Sequence, residues 1–375
     1  MRIAINTIPL LSPLTGVGHY TYQIAKALRE ISTEHRYTYF YGYYSQELQS
    51  PEESHQVFCR FKETIRKTPI LGSSARKFQD VLNYFSSRRF DLYFEPQFIP
   101  LNIPAQRTVV TILDFSFVRF PEWHPEDKIR YFKKYFWEKI KGADHIIVIS
   151  NFIKNEAVDL FGFQSDRISA IHLGIDPNLF RIYDPEEFIS IKNKYQLPDN
   201  FILFVGSIEP RKNIFNLLKA YGDLRHSMRK TFKLVLVGNK GWKNEQTLSL
   251  IRESGDDVRY LGYVPEIELG PLYRLARLFV YPSFYEGFGL PPLEAMACGC
   301  PVIVSHTASL PEVCGEAAFY INPHEVESIS AGMERILENE TLRNALKSKG
   351  LERSKLFSWN KAAEEHLRLF EKIFI

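Results

Sequence analysis

Residues 285–304 read Tyr-Glu-Gly-Phe-Gly-Leu-Pro-Pro-Leu-Glu-Ala-Met-Ala-Cys-Gly-Cys-Pro-Val-Ile-Val. Two carboxylates, Glu286 and Glu294, bracket a glycine turn and a proline-started helix, and a buried strand follows. Pro291 precedes Pro292, which pushes Pro291 toward extended backbone, so the helix is expected to start at Pro292 with Glu294 in its first turn. Gly299 is the expected stop and Pro301 opens the next strand. A carboxylate in a first turn has an ordinary use beside the helix dipole. Glu286 lies in the loop after the strand Leu278–Tyr281, at the edge where open sheets bind ligands, and a loop carboxylate there is more often functional. Gly287 and Gly289 serve as turn formers or let a ligand approach the backbone, with Phe288 and Leu290 beside them. Acceptors at both ends and a helix N-terminus between them suit a polyhydroxylated sugar, a ribose and a linking diphosphate.

Outward from this segment, short β-branched or aromatic runs alternate with helical patterns. In the first half the expected strands are Arg2–Thr7, Tyr37–Tyr43, Leu92–Phe94, Thr108–Leu113 and His145–Ser150. In the second they are Phe201–Gly206, Lys233–Gly238, Val258–Leu261, Leu278–Tyr281, Pro301–Ser305 and Ala318–Ile321. Strands separated by helix-length segments imply parallel sheets of β-α-β units, and runs apolar on both faces imply helices on both sides. The alternation pauses near Pro177, Pro185 and Pro198, which marks a linker. The expected division is 1–176, a linker at 177–199, a second domain at 200–355, and a helix at 356–375 that crosses back to the first. Leu367, Phe370, Ile373 and Phe374 are expected on one face of that helix.

Four more segments carry candidate chemistry. In Phe204-Val-Gly-Ser-Ile-Glu-Pro-Arg-Lys-Asn213, Arg211 and Lys212 stand at a helix entrance that disfavours cations, a conflict an anionic ligand would resolve. Ser207 and Gly238 follow strand ends; in Leu261-Gly-Tyr-Val-Pro265 the backbone is suited to read a base edge, and Tyr263 either stacks or only packs. Gly16 and Gly18 form a Gly-x-Gly turn between the first strand and a helix, a weak signal on its own.

The bulk numbers set limits. A length of 375 residues allows two domains, and 45% apolar residues allow packed cores. A net charge of +3 argues against a nucleic-acid binder. No apolar run is long enough to span a membrane, and the start is expected to be a strand and not a signal peptide. Cys59, Cys298, Cys300 and Cys314 have no disulfide or zinc spacing, which fits buried thiols in a reducing cytosol.

In this order the motifs resemble the family 4 retaining glycosyltransferases, whose GT-B fold is α/β, two Rossmann-like domains with parallel sheets facing across a cleft. The resemblance covers most of the chain. Glu286-x7-Glu294 is similar to the family's paired-glutamate motif, and Glu209-Pro-Arg-Lys-Asn213 to its phosphate-binding segment. Ser309-Leu-Pro-Glu312, Val148-Ile-Ser-Asn-Phe152 and His172-Leu-Gly-Ile-Asp176 match further segments. Gly241-Trp242, Asp114-Phe-Ser-Phe117 and Arg119-Phe-Pro-Glu122 resemble bacterial mannosyltransferases of O-antigen and exopolysaccharide assembly.

The resemblance implies transfer of a hexose, with GDP-mannose as co-substrate, no other cofactor and no metal; Asp-x-Asp does not occur in the sequence. It implies that Glu286 holds donor-sugar hydroxyls and helps stabilise developing positive charge, that Glu294 holds the ribose and Lys212 and Arg211 the leaving diphosphate, and that Gly16 and Gly18 let backbone approach the phosphates. Asp114 joins the catalytic set. Where many relatives carry His before this Asp, this chain has Leu113, which would alter donor choice or activity, or leave the contact to Asp114 or His19. Ser207 stands where some relatives have a phosphate-binding Arg. The implied acceptor is a glycan or polyprenyl-linked glycan. A basic and aromatic segment, Lys128–Lys139, reads first as an amphipathic core helix with a solvated basic face, and as an alternative suits peripheral contact with an anionic inner membrane face, while the basic residues Arg60, Lys62, Arg66, Lys67 and Arg76 would border the acceptor site. Rival readings are a UDP-sugar donor, a nucleotide-sugar epimerase on the same fold, and a non-catalytic sugar-nucleotide-binding partner.

Overall fold

A computed structural model describes residues 1–11, 16–50 and 89–374. The basic residues between 60 and 76, and Cys59, lie outside the described residues. The chain divides into two compact units. One comprises Met1–Phe115, Arg130–Gly174 and Trp359–Ile375; the other comprises Ser116–Ile129 and Ile175–Ser358.

Among the described residues the first unit holds a seven-stranded sheet: β1 (Arg2–Asn6), β2 (Arg36–Phe40), β3 (Tyr44–Ser45), β4 (Phe90–Glu95), β5 (Ala105–Ile112), β6 (His145–Val148) and β7 (Ile168–Ala170). Their order is β3-β2-β1-β4-β5-β6-β7, all parallel except the β2–β3 pair. Ile3, Ile5, Leu92, Phe94, Val110, Ile112, Ile147 and Val148 are buried, as expected of a sheet covered on both faces. The short edge strands β3 and β7 carry too few residues to show a period in the sequence. The helix Glu126–Ile140 buries Ile129, Phe136 and Ile140, while Lys128, Arg130, Lys133 and Lys134 are exposed. Its aromatic side is packed, with Phe132 against Phe98 at 5.4 Å and Trp137 against Phe161 at 5.5 Å.

The helix Trp359–Phe374 belongs to this unit. Its buried face is Trp359, Ala362, Ala363, His366, Leu369 and Phe370, and not the expected Leu367, Ile373 and Phe374; Phe374 is exposed. The small residues let the helix come close, and His366 is turned inward by a hydrogen bond with the Tyr20 hydroxyl at 3.1 Å, itself bonded to Thr111 at 2.9 Å.

The second unit holds a six-stranded parallel sheet: β8 (Phe201–Val205), β9 (Lys233–Val237), β10 (Val258–Gly262), β11 (Leu278–Tyr281), β12 (Val302–Ser305) and β13 (Phe319–Ile321). The order β10-β9-β8-β11-β12-β13 reverses direction between β8 and β11. In a doubly wound sheet that reversal opens a crevice beyond the strands' carboxyl ends. Residues 177–199 are not a bare connection: they form a 3-10 turn (Pro177–Phe180) and a capped helix (Pro185–Lys194) within the second unit. Cys298, Cys300 and Cys314 are buried free thiols, pushed by burial above the ordinary thiol range. No helix among the described residues is long and apolar enough to cross a membrane.

Candidate functional site

The two strands flanking the reversal in the second unit, β8 and β11, each run into a loop bearing charged residues. After β8 the chain makes a 3-10 turn, Pro210–Lys212, then Asn213 adopts a left-handed φ of 58° before the helix Ile214–Asp223. The Asn213 amide donates to the carbonyls of Pro282 at 3.0 Å and Pro323 at 2.7 Å, and Phe284 N–H donates to the Arg211 carbonyl at 2.9 Å. These bonds lash the β8 turn to the exit of β11 and fix the cations against Glu286.

Glu286 is buried and accepts from Lys212 Nζ at 2.7 Å and from Arg211 Nη1 at 2.5 Å. Arg211 also donates to the Tyr285 carbonyl at 3.1 Å and, through Nη2, to Glu209 at 2.8 Å. Lys212 further donates to the Tyr281 hydroxyl. Burial alone would push the Glu286 carboxyl up; the charges of Arg211 and Lys212 outweigh it and hold the group at about 2. Burial pulls Lys212 below the ordinary ammonium range, helped by Arg211, while Glu286 and Glu209 oppose. Burial and Glu286 raise the Tyr281 phenol. The sequence-level conflict of two cations at a helix entrance is thus resolved within the chain, by two carboxylates.

The paired-glutamate loop is held from behind. Ser309 Oγ lies 2.9 Å from the Glu286 carbonyl and 2.8 Å from the Phe288 carbonyl. Phe288 turns its ring onto Phe357 at 5.7 Å, so it offers backbone and not a ring at this turn. Gly289 has φ 114°, and a Cβ there would come within 2.7 Å of Leu310, so glycine is required. The next helix is Leu290–Ala297, starting two residues before the expected Pro292 and placing Glu294 in its second turn. The first-turn N–H groups have no helical partners, so Pro291 and Pro292 cost no hydrogen bonds there, and their fixed φ fits the helix. Glu294 is half-buried and accepts from the Tyr273 hydroxyl at 2.8 Å. Gly299, with φ 70°, ends the helix as expected.

The other candidates fall in two places. Ser207, Gly238 and Tyr263 follow β8, β9 and β10 in the same unit. A Cβ at Gly238 would lie 2.1 Å from the Gly206 carbonyl, so the space it leaves is filled by protein backbone. Tyr263 is 59% exposed. Gly16, Gly18 and Asp114 belong to the first unit, Gly16 and Gly18 in the first turn of the helix Gly16–Ile31, and Leu113 is buried there. The segment Ser116–Ile129 joins the second unit: Trp242 Nε1 donates to the Trp123 carbonyl at 2.6 Å, and Trp123 stacks on Phe120 at 4.0 Å and faces Phe284 at 5.9 Å.

Sequence reasoning gives no role to five residues of this constellation: Glu209, Asn213, Tyr273, Tyr281 and Ser309. Glu209 and Asn213 stand inside the segment singled out for its cations, so their spacing is a usable signal. The strand and helix tyrosines look like ordinary core.

Residues 185–353 match the family described as Glycosyl transferases group 1, and residues 14–179 match Glycosyltransferase Family 4. The chain is 35% identical to the O-antigen chain mannosyltransferase B of Escherichia coli over 99% of this chain and 100% of that protein. It is 36% identical to the serotype-specific mannosyltransferase WbdA of Escherichia coli over 64% of this chain and 31% of that longer protein. Sucrose-phosphate synthase from Thermosynechococcus elongatus superposes with a TM-score of 0.70 at 20% identity, over 100% of this chain and 99% of that one.

Proposed function

The chain belongs to the group 1 and family 4 glycosyltransferases, with the GT-B fold, and from that premise we propose that it moves mannose from GDP-mannose to a lipid-linked glycan of a cell-surface polysaccharide such as O-antigen, with retention and without a metal ion. The observation that carries the reading is the Lys212–Glu286–Arg211 cluster where the second sheet reverses. The relatives' mannosyl transfer supports the choice of sugar.

In this mechanism Lys212 and Arg211 neutralise the departing diphosphate, Glu286 holds the sugar's hydroxyls, and Glu294 takes the ribose. Fixed cations in a water-poor site stabilise developing negative charge without reorganising, and this is the main source of rate acceleration open to such chemistry. Attack and departure occur on one face of the sugar, so positioning of the acceptor hydroxyl supplies the rest. The exposed basic side of Glu126–Ile140 supports contact with the anionic cytoplasmic membrane face, where a polyprenyl-linked acceptor lies. Salt-sensitive flotation with anionic vesicles is expected, and its absence would remove the membrane part.

The test is a thermal-shift series with GDP, UDP, ADP and their sugar conjugates without added metal, followed by NMR of the product's anomeric configuration. Ligand bound to the folded state alone raises its melting temperature. Selective shifts with GDP and GDP-mannose and an α-linked product are expected. A shift only with UDP-sugars overturns the donor; isomerisation without acceptor favours an epimerase; no shift with any nucleotide overturns the donor site.

A further inference from the structure

The cluster around Glu286 balances its own charge without a ligand. Glu209 and Glu286 supply two negative groups, Arg211 and Lys212 two positive ones, and all four side chains are at most 18% exposed. These groups come from the turn after β8 and the loop after β11; β11 itself presents the neutral Tyr281 phenol, and the helix Leu310–Cys314 side presents the Ser309 hydroxyl to the Glu286 carbonyl. A nucleotide sugar adds a diphosphate with two further negative charges. If it takes Lys212 and Arg211 as counterions, Glu286 must share its cations while staying buried, and a buried carboxylate short of cations favours its neutral form.

The first unit contains the reference case. Glu95 is equally buried at the carboxyl end of β4, with neutral donors around it: the Asn6 amide at 2.9 Å from both oxygens, the Tyr93 hydroxyl, and Gln97 N–H at 3.2 Å. Burial raises it to about 8, against about 2 for Glu286.

We propose that seating the donor's diphosphate against Lys212 and Arg211 draws a proton from solvent onto the Glu286 carboxyl, so that Glu286 meets the sugar as a hydrogen-bond donor and not as an anion. This rests on the donor-site reading above. One proton leaves water or buffer and forms an O–H bond on Glu286; it returns to solvent when the nucleotide departs.

The experiment is calorimetric titration of the full chain with GDP-mannose at about pH 6, in two buffers of different ionisation enthalpy. The diphosphate diester does not itself titrate there. Uptake approaching one proton per site is expected in the parent protein and is kept in Glu95→Gln; Glu286→Gln, which removes a donor-site carboxyl and weakens binding, is expected to take up none when titrated to saturation. Independently of any variant, affinity should weaken between about pH 6 and 8, by up to about tenfold per unit. Wild-type binding with no buffer dependence and a flat affinity profile, or unchanged uptake in Glu286→Gln, overturns the proposal. No binding of any nucleotide sugar overturns the donor-site reading, and this inference with it.

Discussion

Each of the two parallel sheets places a buried glutamate just beyond or at the end of a strand flanking its reversal of order, Glu95 at the end of β4 and Glu286 after β11. Fold position and burial are shared, but the neighbours differ. Glu95 is surrounded by amide, phenol and backbone N–H donors and stands at about 8; Glu286 faces a lysine and an arginine and stands at about 2. Topology thus supplies a sheltered crevice, and the charges lining it decide whether a carboxyl there is a neutral strut or an anion.

Lys212 is the side chain whose loss should move Glu286 furthest toward the surroundings of Glu95. Lys212→Met leaves Glu286 and Glu209 to share one cation, and removing one partner of a buried pair is expected to cost about 3–5 kcal/mol. Denaturant unfolding measures it, and glycosyl transfer should fall by about 10² or more. A loss under about 1 kcal/mol would mean the cluster is hydrated and not sheltered.

Glu95→Gln is the converse test, and its sign changes with pH. The folded-state value of Glu95 is raised, so between about 4.5 and 8 the folded chain holds a proton the unfolded chain lacks. Its stabilising contribution is present below the unfolded value and declines as pH rises toward 8, by a few kcal/mol in all. The glutamine variant should lack that slope and overtake the parent protein above about pH 8 in unfolding experiments. Glu286 has the opposite window: its stabilisation is present above about 4.5 and is lost as pH falls toward 2. Equal slopes in parent and variant would show that Glu95 is ionised when folded.

Two substitutions around the Glu286–Glu294 loop have smaller expected effects. Ser309→Ala removes the hydroxyl that ties down the Glu286 turn and should cost about 1–2 kcal/mol, with kcat falling more than KM rises. Tyr273→Phe removes the donor to the half-buried Glu294 and should cost about 1 kcal/mol, seen mainly as weaker nucleotide binding in the thermal-shift series.

The carboxylate that faces the cations is legible in the sequence because a charged residue in a glycine loop after an apolar strand has few structural uses. The cations are legible because helix entrances disfavour them. Glu95 is not: it ends a strand beside Phe94, and nothing in one chain announces that Asn6, the end of β1, will be its neighbour. Tyr273 and Tyr281 read as core and are core; their hydroxyls acquire meaning only from partners distant in sequence. The helix start at Leu290 escapes a reading that weighs the pre-proline bias without the indifference of a first turn to missing N–H groups. The strand order and the reversal between β8 and β11 depend on pairings that periodicity does not encode.

The chain passes between its two units at residues 115, 129, 174 and 358, so neither unit is a continuous stretch of sequence. During synthesis this imposes an order. The first sheet emerges early, but the helix Trp359–Phe374, which brings His366 to Tyr20 and Phe370 to Phe94 at 5.4 Å, leaves the ribosome only after the whole second unit. The unit begun first is finished last, and until then an apolar side of Phe94 waits uncovered, which makes the nascent chain most open to aggregation and to chaperones while the second sheet is being made.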